Sequence, residues 1–499
     1  MSPTRPLPAP LGGDAATRPS RFATEAPVDD AVIDRLASVC REVITTDESR
    51  VAAGRDWWPL STVWAVDGTV PALPAAVARP SDAAQVAAVL EVCNALGVPV
   101  TPVAGTSGVC GGSIPVFGGI SLDLTGLDGI VDVDDASLLV DVRAGTFGDV
   151  FEDTLRWEHG LTAGHWPQSI ALSTVGGWIA CRGAGQYSTR YGKIEDMVVG
   201  LEVALADGRL IRTGGAAPRA ATGPDLTQLF VGSEGILGVI TEAKLRAHPR
   251  APAERRAAFG FANFGDGLDT CRRILRRGAT PAVLRLYDDT ESARSFQVDS
   301  VSALIVIDEG DPPLIDAVMQ VVAEECAGAI ALDADLPGRW LAHRNEVPPL
   351  ESLVRAGIVA DTVEIAGSWQ ALPRIYEAAV AALMAVEGTM AASAHQSHAY
   401  TDGGCLYFTF AGRPPDGGAS GAEAYYRRAF DAVMAATTDA GGAVSHHHGI
   451  GLNRARYMRD YLGSAFDVLA ATKQALDPRG ILNPGKLGLP SPFGTAWEG

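Results

Sequence analysis

The segment PVAGTSGVCGG, residues 102–112, places four glycines directly after an apolar, β-branched run that predicts a strand. A Rossmann fingerprint requires GxGxxG followed at once by a helix, whereas the next residues, SIPVFGG, contain Pro and Gly and cannot begin one. A P-loop is excluded because no GK[ST] closes the segment. Two interpretations remain, a loop whose backbone N–H groups cradle a diphosphate or a pair of tight turns without a ligand.

Two further segments combine glycine with Ser, Thr and interrupted apolar runs. They are GHWPQSIALSTVGGWIACRGAG, residues 164–185, and GPDLTQLFVGSEGILGVITEAKL, residues 223–245. Glycine allows backbone to approach a flat ligand closely, although either segment alone is also compatible with a bulged strand. The presence of both favours a ligand site.

The chain is long enough for more than one core. Its 499 residues predict two large domains. A net charge of −19 argues against nucleic-acid binding, which requires clustered Lys and Arg. The seven cysteines are scattered and form no CxxC pair, so we expect neither structural zinc nor a disulfide framework, and a reducing, cytoplasmic location fits best.

The N-terminal residues, 1–25, are rich in Pro, Gly and Arg and lack an apolar core. They predict a disordered tail rather than a secretory signal. The sequence has no apolar run of the length needed for a transmembrane helix, which leaves peripheral membrane contact open.

Local patterns predict several elements and the domain boundaries. Ser81 is a candidate N-cap of a helix that ends at Gly97, and Asp207-Gly208 is the turn of a hairpin. A Pro- and Arg-containing junction near residue 250 precedes mixed helices and strands. We therefore expect a first domain at 26–250, a second at 251–445 and a C-terminal segment at 446–499.

The triplet in HHHGIG, residues 446–451, holds a third of the nine histidines. In an extended strand, His446 and His448 point one way and His447 the other, so the three are poorly placed to share an ion. No Cys, Asp or Glu stands nearby at ligand spacing. We predict no metal site.

Several stretches between residues 55 and 487 resemble one family of proteins. They are the two segments 164–185 and 223–245 described above, together with YGKIEDMVVGLEVALADG, PAVLRLYD, HAYTDGGCLYFTF and SHHHGIG. It is the FAD-binding, PCMH-type flavoproteins related to vanillyl-alcohol oxidase, and within it the alkylglycerone-phosphate (alkyl-dihydroxyacetonephosphate) synthases and their bacterial homologues. The resemblance implies an α+β, two-domain FAD-binding fold with an α/β cap domain for substrate and C-terminal helices that return to the FAD domain.

By this resemblance, three stretches hold the FAD. The implied cofactor residues are Pro102, Val103, Ala104, Gly105, Thr106, Ser107, Gly108, Gln168, Ser169, Ser173, Thr174, Gly177, Cys181, Arg182, Gly183, Ala184, Gly232, Ser233, Glu234, Gly235, Gly238 and Ile240. Many relatives attach FAD through a histidine of the first loop. That loop has no histidine, and Cys110 lies just beyond it, so we expect non-covalent FAD.

The resemblance also implies catalytic residues. Tyr400 occupies the position of the synthases' catalytic tyrosine and would relay a proton, although from the residues alone a packed strand tyrosine is the alternative. Arg285 would bind a phosphate or carboxylate, with a structural ion pair as the alternative. Arg344 would be the second anion-binding arginine, with the nearby Arg355 as the alternative. At least one imidazole of His446, His447 and His448 would face the flavin and polarise or protonate a substrate oxygen.

Two functions are compatible with this reading. The first is exchange of the acyl chain of acyl-dihydroxyacetone phosphate for a fatty alcohol through a flavin N5 adduct, as in ether-lipid synthesis. The alternative is an FAD-dependent dehydrogenase or oxidase of a 2-hydroxy acid or related alcohol, because DPRGILNPGKL, residues 477–487, resembles the glycolate and D-lactate dehydrogenase branch. In both cases the substrate is a small or lipid-like molecule. We also expect the protein to form a homodimer.

Overall fold

The computed structural model describes residues 19–22, 28–214 and 217–497. Most of the predicted tail, 1–25, lies outside these residues. Within the part that is described, Ser20 forms a β-bridge with Val70, and Phe22 is buried against Trp64. The chain is thus in contact with the fold from residue 19.

A four-stranded sheet begins the first domain, with strands in the order β1-β2-β4-β3 and helices alongside. Its elements are α1 (Asp30–Val39), β1 (Glu42–Ile44), α2 (Asp47–Ala53), α3 (Pro59–Val66), β2 (Ala76–Arg79), α4 (Ala83–Leu96), β3 (Val100–Val103) and β4 (Ile120–Asp123). The predicted end of α4 at Gly97 is confirmed by its positive φ of 68°. The predicted N-cap Ser81 was wrong by one residue, because the Asp82 side chain accepts the hydrogen bond from the Gln85 N–H.

A five-stranded antiparallel sheet completes this domain, in the order β5-β6-β10-β8-β9. Its elements are β5 (Ile130–Asp134), β6 (Leu139–Arg143), α5 (Gly148–Thr154), a π-helix (Leu155–His159), β7 (Leu161–Thr162), α6 (Val175–Cys181), α7 (Ser188–Tyr191), α8 (Ile194–Met197), β8 (Val198–Ala204), β9 (Leu210–Thr213), α9 (Leu226–Phe230) and β10 (Val239–Arg246). The predicted hairpin is confirmed as β8 and β9. A short strand, β11 (His248–Pro249), pairs with β7.

The second domain is built on a seven-stranded sheet in the order β15-β12-β14-β13-β17-β18-β16, with antiparallel pairing throughout. Its elements are β12 (Ala253–Phe261), α10 (Phe264–Arg276), β13 (Val283–Tyr287), α11 (Asp289–Phe296), β14 (Ser302–Gly310), α12 (Pro312–Glu325), β15 (Ile330–Ala331), α13 (Leu336–His343), α14 (Glu351–Arg355), β16 (Val359–Ser368), α15 (Leu372–Ala385), β17 (Thr389–Ala399), β18 (Gly403–Gly412) and α16 (Gly418–Asp439). Strand β14 is buried over eight of its nine residues because it lies between β12 and β13 under helices.

The C-terminal segment carries α17 (Met458–Leu462) and α18 (Ala465–Leu476) and returns to the first domain. Ile481 and Asn483 exchange 2.8 Å backbone hydrogen bonds with Val100 of β3, and the Lys486 ammonium donates to the Ile114 carbonyl at 2.7 Å. This return confirms the expectation for the C-terminal helices. Within the residues described above, we find no helix that is both long enough and apolar enough to cross a bilayer.

Candidate active site

A cavity of about 960 Å³ lies where the two domains and the C-terminal segment meet. Its floor consists of the glycine-rich segments of the first domain, and its opposite wall consists of β13, β16, β17, β18 and the loop before α14. A cavity of this size accommodates a cofactor together with a substrate.

Most of the predicted cofactor residues line this cavity. They are Pro102, Val103, Ala104, Gly105, Thr106, Ser107, Gly108, Gln168, Ser169, Ser173, Thr174, Gly177, Cys181, Gly183, Ala184, Glu234, Gly235, Gly238 and Ile240. Three others, Arg182, Gly232 and Ser233, lie outside the lining. Arg182 instead pairs with Glu195 at 3.2 Å.

The glycines of the floor allow backbone approaches that fit a flat ligand. A Cβ on Gly105 would lie 2.0 Å from the Leu172 carbonyl oxygen, and one on Gly238 would lie 2.5 Å from Val203 Cγ1. The first and second predicted flavin segments are therefore in direct backbone contact, and neither position tolerates a side chain without movement. The residues present fit FAD, because backbone N–H groups in such a loop can cradle a diphosphate.

The histidine triplet is bent rather than extended, so the predicted alternation of its side chains was wrong. The Glu364 carboxylate accepts hydrogen bonds from the backbone N–H groups of His446, His447 (3.3 Å) and His448 (2.9 Å). A strand cannot direct three successive N–H groups at one carboxylate. As a result, His447 and His448 both line the cavity, whereas His446 does not.

A second buried carboxylate holds the glycine turn that follows. Glu234 accepts from the backbone N–H groups of Ile450 (2.5 Å) and Gly451 (2.8 Å). Glu234 also lines the cavity, where FAD is predicted to bind. One carboxylate from each domain thus fixes the segment 446–451.

The imidazoles of the triplet are neutral. Burial lowers the pKa of His446 to about 3 and that of His448 to about 4, and it holds the pKa of His447 well below its usual range. His446 and His447 lie Nδ1 to Nδ1 at 2.9 Å, so one ring donates and the other accepts.

Tyr400 lies outside the cavity lining, with its hydroxyl 3.0 Å from Ser188 Oγ. Ser188 Oγ is also 2.8 Å from Nδ1 of His398, a residue that does line the cavity. Hydrogen bonds of these two side chains therefore connect the predicted proton-transfer tyrosine to the cavity. Sequence patterns leave His398 as either a pocket or a surface residue, and none of them marks Ser188.

Arg285 lines the cavity as predicted, and a buried pair holds it there. Its Nη2 donates to His395 Nε2 at 2.8 Å, which requires the proton of His395 to be on Nδ1. That Nδ1–H donates to Glu291 at 2.7 Å. Burial opposes ionisation of Glu291, but His395 and its other donors lower the pKa of the carboxyl. The chain Glu291–His395–Arg285 fixes the guanidinium.

Arg344 is not at the cavity wall. Its guanidinium lies 4.9 Å from the ring centroids of both Trp166 and Tyr187 in the first domain. This contact joins the domains. Within the described part of the chain, Arg344 Nη1 is buried without a hydrogen-bond partner.

The fold brings together metal-ligand side chains that are remote in sequence. Ligand atoms of His398, His446 and His447 lie within 4.8 Å of one another, as do those of Glu364, Cys405 and His447. Sequence spacing predicted that no further metal-ligand side chain lies near the triplet. That prediction missed residues that β16, β17 and β18 bring to it. Sequence spacing alone cannot identify such partners.

Comparisons with known proteins agree with this geometry. A family of FAD-binding domains matches residues 74–214, and the C-terminal domain of FAD-linked oxidases matches residues 250–487. The uncharacterized FAD-linked oxidoreductase YgcU of Escherichia coli O157:H7 is 32% identical over 436 residues, which cover 83% of this chain and 89% of that protein. The chain belongs to the FAD-linked oxidoreductase family. FAD, the predicted cofactor, is confirmed.

Synthases are also similar to this chain. The alkyldihydroxyacetonephosphate synthase of Dictyostelium discoideum is 27% identical over 461 residues, 84% of this chain and 74% of that protein. A solved structure of an alkyldihydroxyacetonephosphate synthase superposes with a TM-score of 0.78 at 22% identity and covers 96% of this chain and 90% of that one. The predicted two-domain FAD-binding fold of PCMH type is confirmed.

Proposed function

We propose that this FAD-dependent enzyme exchanges the acyl chain of acyl-dihydroxyacetone phosphate for a fatty alcohol. The observation that carries the proposal is that one cavity combines an apolar arm, a cationic wall and uncharged imidazoles beside the FAD loops. An amphiphilic substrate with an anionic head needs all three.

The apolar arm suits a hydrocarbon chain. It is formed by Val347, Pro348, Leu350 and Leu353 before and within α14, and by Phe410 of β18. Transfer of each methylene group from water into such surroundings is favourable by about 0.8 kcal/mol. A short hydroxy acid would leave this apolar part of the cavity unfilled.

The cationic wall suits a phosphate. Arg285 and Arg294 both line the cavity, and Glu291 lies between them, bound to Arg294 at 3.1 Å and to Arg285 through His395. With Glu291 ionised and both arginines charged, the group has one net positive charge. Guanidinium groups bind phosphate oxygens in a bidentate manner.

FAD, when bound, supplies the ring chemistry that the exchange requires. The protein residues bind and orient the substrate around it. Neutral His447 and His448 polarise the substrate oxygen through N–H donation, and His398 exchanges the proton on the substrate carbon.

The alternative is oxidation of a 2-hydroxy acid or related alcohol, and a specific observation favours it. The cluster of His398, His446 and His447 has the ligand atoms for a divalent ion, which a hydroxy acid chelates through its carboxylate and hydroxyl oxygens. The resemblance of residues 477–487 to the hydroxy-acid dehydrogenase branch supports the same alternative.

An anaerobic comparison separates the two functions. The flavin-loaded protein is mixed with acyl-dihydroxyacetone phosphate and a radiolabelled fatty alcohol, and separately with a panel of 2-hydroxy acids. We expect label in an ether-linked product, fatty acid release and an oxidised flavin spectrum throughout. A reaction without acyl substrate is the control for label uptake. Bleaching of the flavin by a hydroxy acid, with no labelled product, would overturn the proposal.

A further inference from the structure

His165 is a buried histidine of the cavity floor and lies in the loop between β7 and α6. It is 1% exposed, and neither of its ring nitrogens has a hydrogen-bond partner among the described residues. Buried polar side chains are normally hydrogen-bonded, so an unpaired imidazole at a cavity wall indicates a ligand.

Protein contacts fix the position of this imidazole without using its nitrogens. Its ring centroid lies 4.6 Å from that of Trp178 in α6. Trp178 lines the cavity as well, and its indole N–H donates to Ser173 Oγ at 2.7 Å. Gly185 packs against the backbone, since a Cβ there would lie 3.0 Å from His165 Cα. The imidazole is thus held in place, and its nitrogens remain available to a ligand.

Gln186 brings a second unpaired polar atom to the same part of the floor. Its backbone N–H donates to the Trp166 carbonyl at 2.8 Å, so it lies beside the residue that follows His165. Its Nε2 donates to the Arg344 carbonyl at 2.9 Å, which identifies the other amide atom, Oε1, as an acceptor. Gln186 lines the cavity, and Oε1 is buried without a partner in the part of the chain that the structure describes.

The two side chains offer complementary hydrogen-bonding groups. Burial, with a smaller contribution from the charge of Lys193, lowers the pKa of His165 to about 3, so the imidazole is neutral and has one N–H donor. A diphosphate has acceptors only and cannot pair with Gln186 Oε1. A heterocycle edge on which an acceptor adjoins an N–H can pair with both side chains. FAD has two such edges, the imide of the flavin ring and the aminopyrimidine edge of adenine.

The position of His165 favours the flavin ring over adenine. Lys193, whose charge acts on His165, donates to the His446 carbonyl at 2.8 Å. Trp166 is covered by the Arg344 guanidinium of the cap domain, which lies 4.9 Å from the indole centroid. His165 is therefore near the junction with the cap domain, which forms the opposite wall of the cavity. The flavin ring has to lie at this junction to meet a substrate that the cap domain holds.

We propose that His165 and Gln186 bind the imide edge of the flavin ring. His165 donates to a ring carbonyl oxygen, and Gln186 Oε1 accepts the neighbouring ring N–H. These contacts orient the ring toward the cap domain, and hydrogen bonds at this edge tune its electronic properties. The inference rests on FAD as the cofactor and not on the proposed exchange, because the alternative oxidation needs the same ring in the same place.

A spectroscopic test uses the FAD-loaded protein without substrate. FAD labelled with carbon-13 and nitrogen-15 in both the flavin ring and adenine is bound to wild type, His165→Phe and Gln186→Met. His165→Phe keeps an aromatic ring against Trp178 but has no donor, and we expect one flavin carbonyl carbon to move upfield. Gln186→Met has no amide oxygen, and we expect the imide nitrogen of the ring to move upfield. Adenine resonances that moved while the flavin resonances stayed, or no change in either, would overturn the proposal.

Three further variants separate a hydrogen bond from packing. His248→Phe is the matched control, because the His248 ring contacts Tyr191 at a centroid distance of 4.8 Å outside the cavity lining, and it should leave the flavin resonances unchanged. Asparagine places its amide N–H near the position of Nδ1, and glutamine near that of Nε2. We therefore expect His165→Asn or His165→Gln, but not both, to restore the carbonyl resonance. Restoration by both or by neither would contradict donation from His165, and this comparison decides the matter if His165→Phe does not fold.

Ligand affinity gives an independent measure. We expect His165→Phe to raise the dissociation constant of FAD at least about fivefold, because a buried carbonyl loses its donor. ADP has no flavin ring, so its dissociation constant, measured by competition with FAD, should not change. Equal rises for FAD and ADP would assign His165 to adenine or to the structure of the floor and would overturn the proposal. None of these measurements involves a substrate, so a failure of the proposed function leaves their outcome unaffected.

Discussion

The carboxylate of Glu364 lies 2.8 Å from Nη1 of Arg454, and both side chains are fully buried. Arg454 follows the histidine triplet, whereas Glu364 is in β16 of the cap sheet. The same carboxylate accepts the three backbone N–H groups of the triplet and the Ser445 hydroxyl at 2.8 Å. One ion pair thus fixes the shape of the segment that presents His447 and His448 to the cavity.

Replacement of Glu364 by Gln should destabilise the protein strongly. The change leaves the buried Arg454 guanidinium without its counter-charge, and loss of one partner of a buried pair costs about 3–5 kcal/mol. We expect a lower midpoint of denaturant unfolding. We also expect lower turnover per molecule of bound FAD, so that the loss of activity exceeds any loss of flavin. Glu351→Gln, which removes the partner of the exposed Arg355, is the matched control and should change the midpoint little. An unfolding midpoint of Glu364→Gln equal to that of the control would contradict the role of the ion pair.

The contribution of Glu364 should depend on pH in one direction. Burial opposes ionisation, but Arg454 and the triplet hold the pKa of the folded carboxyl well below the ordinary value of 4.5. The stabilisation is therefore complete above the unfolded-state pKa and is lost as the pH falls through and below it. We expect the difference in unfolding free energy between wild type and Glu364→Gln to be constant near neutrality and to narrow below about pH 4.5. If this difference in unfolding free energy increased as the pH fell, the predicted stabilisation by ionised Glu364 would be contradicted.

Local sequence chemistry predicted much of the framework. The Asp207-Gly208 turn, the left-handed Gly97 and the strand before the glycine loop are each determined by a few adjacent residues. Gly105 has no room for a Cβ atom, which explains why the loop needs glycine at this position. The glycine-rich sequence of the loop already indicated such close backbone contacts.

The arrangement of the site was less predictable. The bend of the triplet depends on Glu364, more than 80 residues away, and nothing in the alternating pattern of β16 marks this glutamate as different from a solvent-facing one. Ser188 and Tyr400 are separated by 212 positions, so their contact follows from domain packing alone. The resemblance implied candidate site residues, but not the hydrogen bonds that connect them.

Gly105→Ala should weaken flavin binding. The added methyl group would lie 2.0 Å from the Leu172 carbonyl oxygen, so the two flavin segments must separate. We expect at least about a tenfold rise in the dissociation constant of FAD, equivalent to about 1.4 kcal/mol. Gly328→Ala is the control, because nothing lies within 4 Å of its added Cβ. Both dissociation constants are measured by flavin fluorescence titration of the proteins after their FAD has been removed. Equal values would show that the close contact of Gly105 with Leu172 does not contribute to FAD binding.

The flavin should be released by acid precipitation. Cys110 lies just beyond the first loop, but it is buried, and burial holds the pKa of its thiol well above the ordinary value. A neutral thiol does not attack a flavin ring. We expect all yellow colour in the supernatant after precipitation, for wild type and for Cys110→Ser alike. Flavin retained in the wild-type pellet, and lost from that of Cys110→Ser, would show a covalent bond.

Arg285→Lys should affect anionic substrates selectively. Lysine keeps the charge but cannot donate to His395 Nε2 and Tyr287 while presenting a planar fork to a phosphate. Loss of a charge-assisted hydrogen bond costs about 1.5–3 kcal/mol, which corresponds to roughly 10- to 150-fold in kcat/KM. The measurement compares acyl-dihydroxyacetone phosphate with the same molecule lacking phosphate. A guanidinium that binds the head group predicts a large loss for the first and little change for the second, whereas equal losses would assign Arg285 to the structure of the cap sheet.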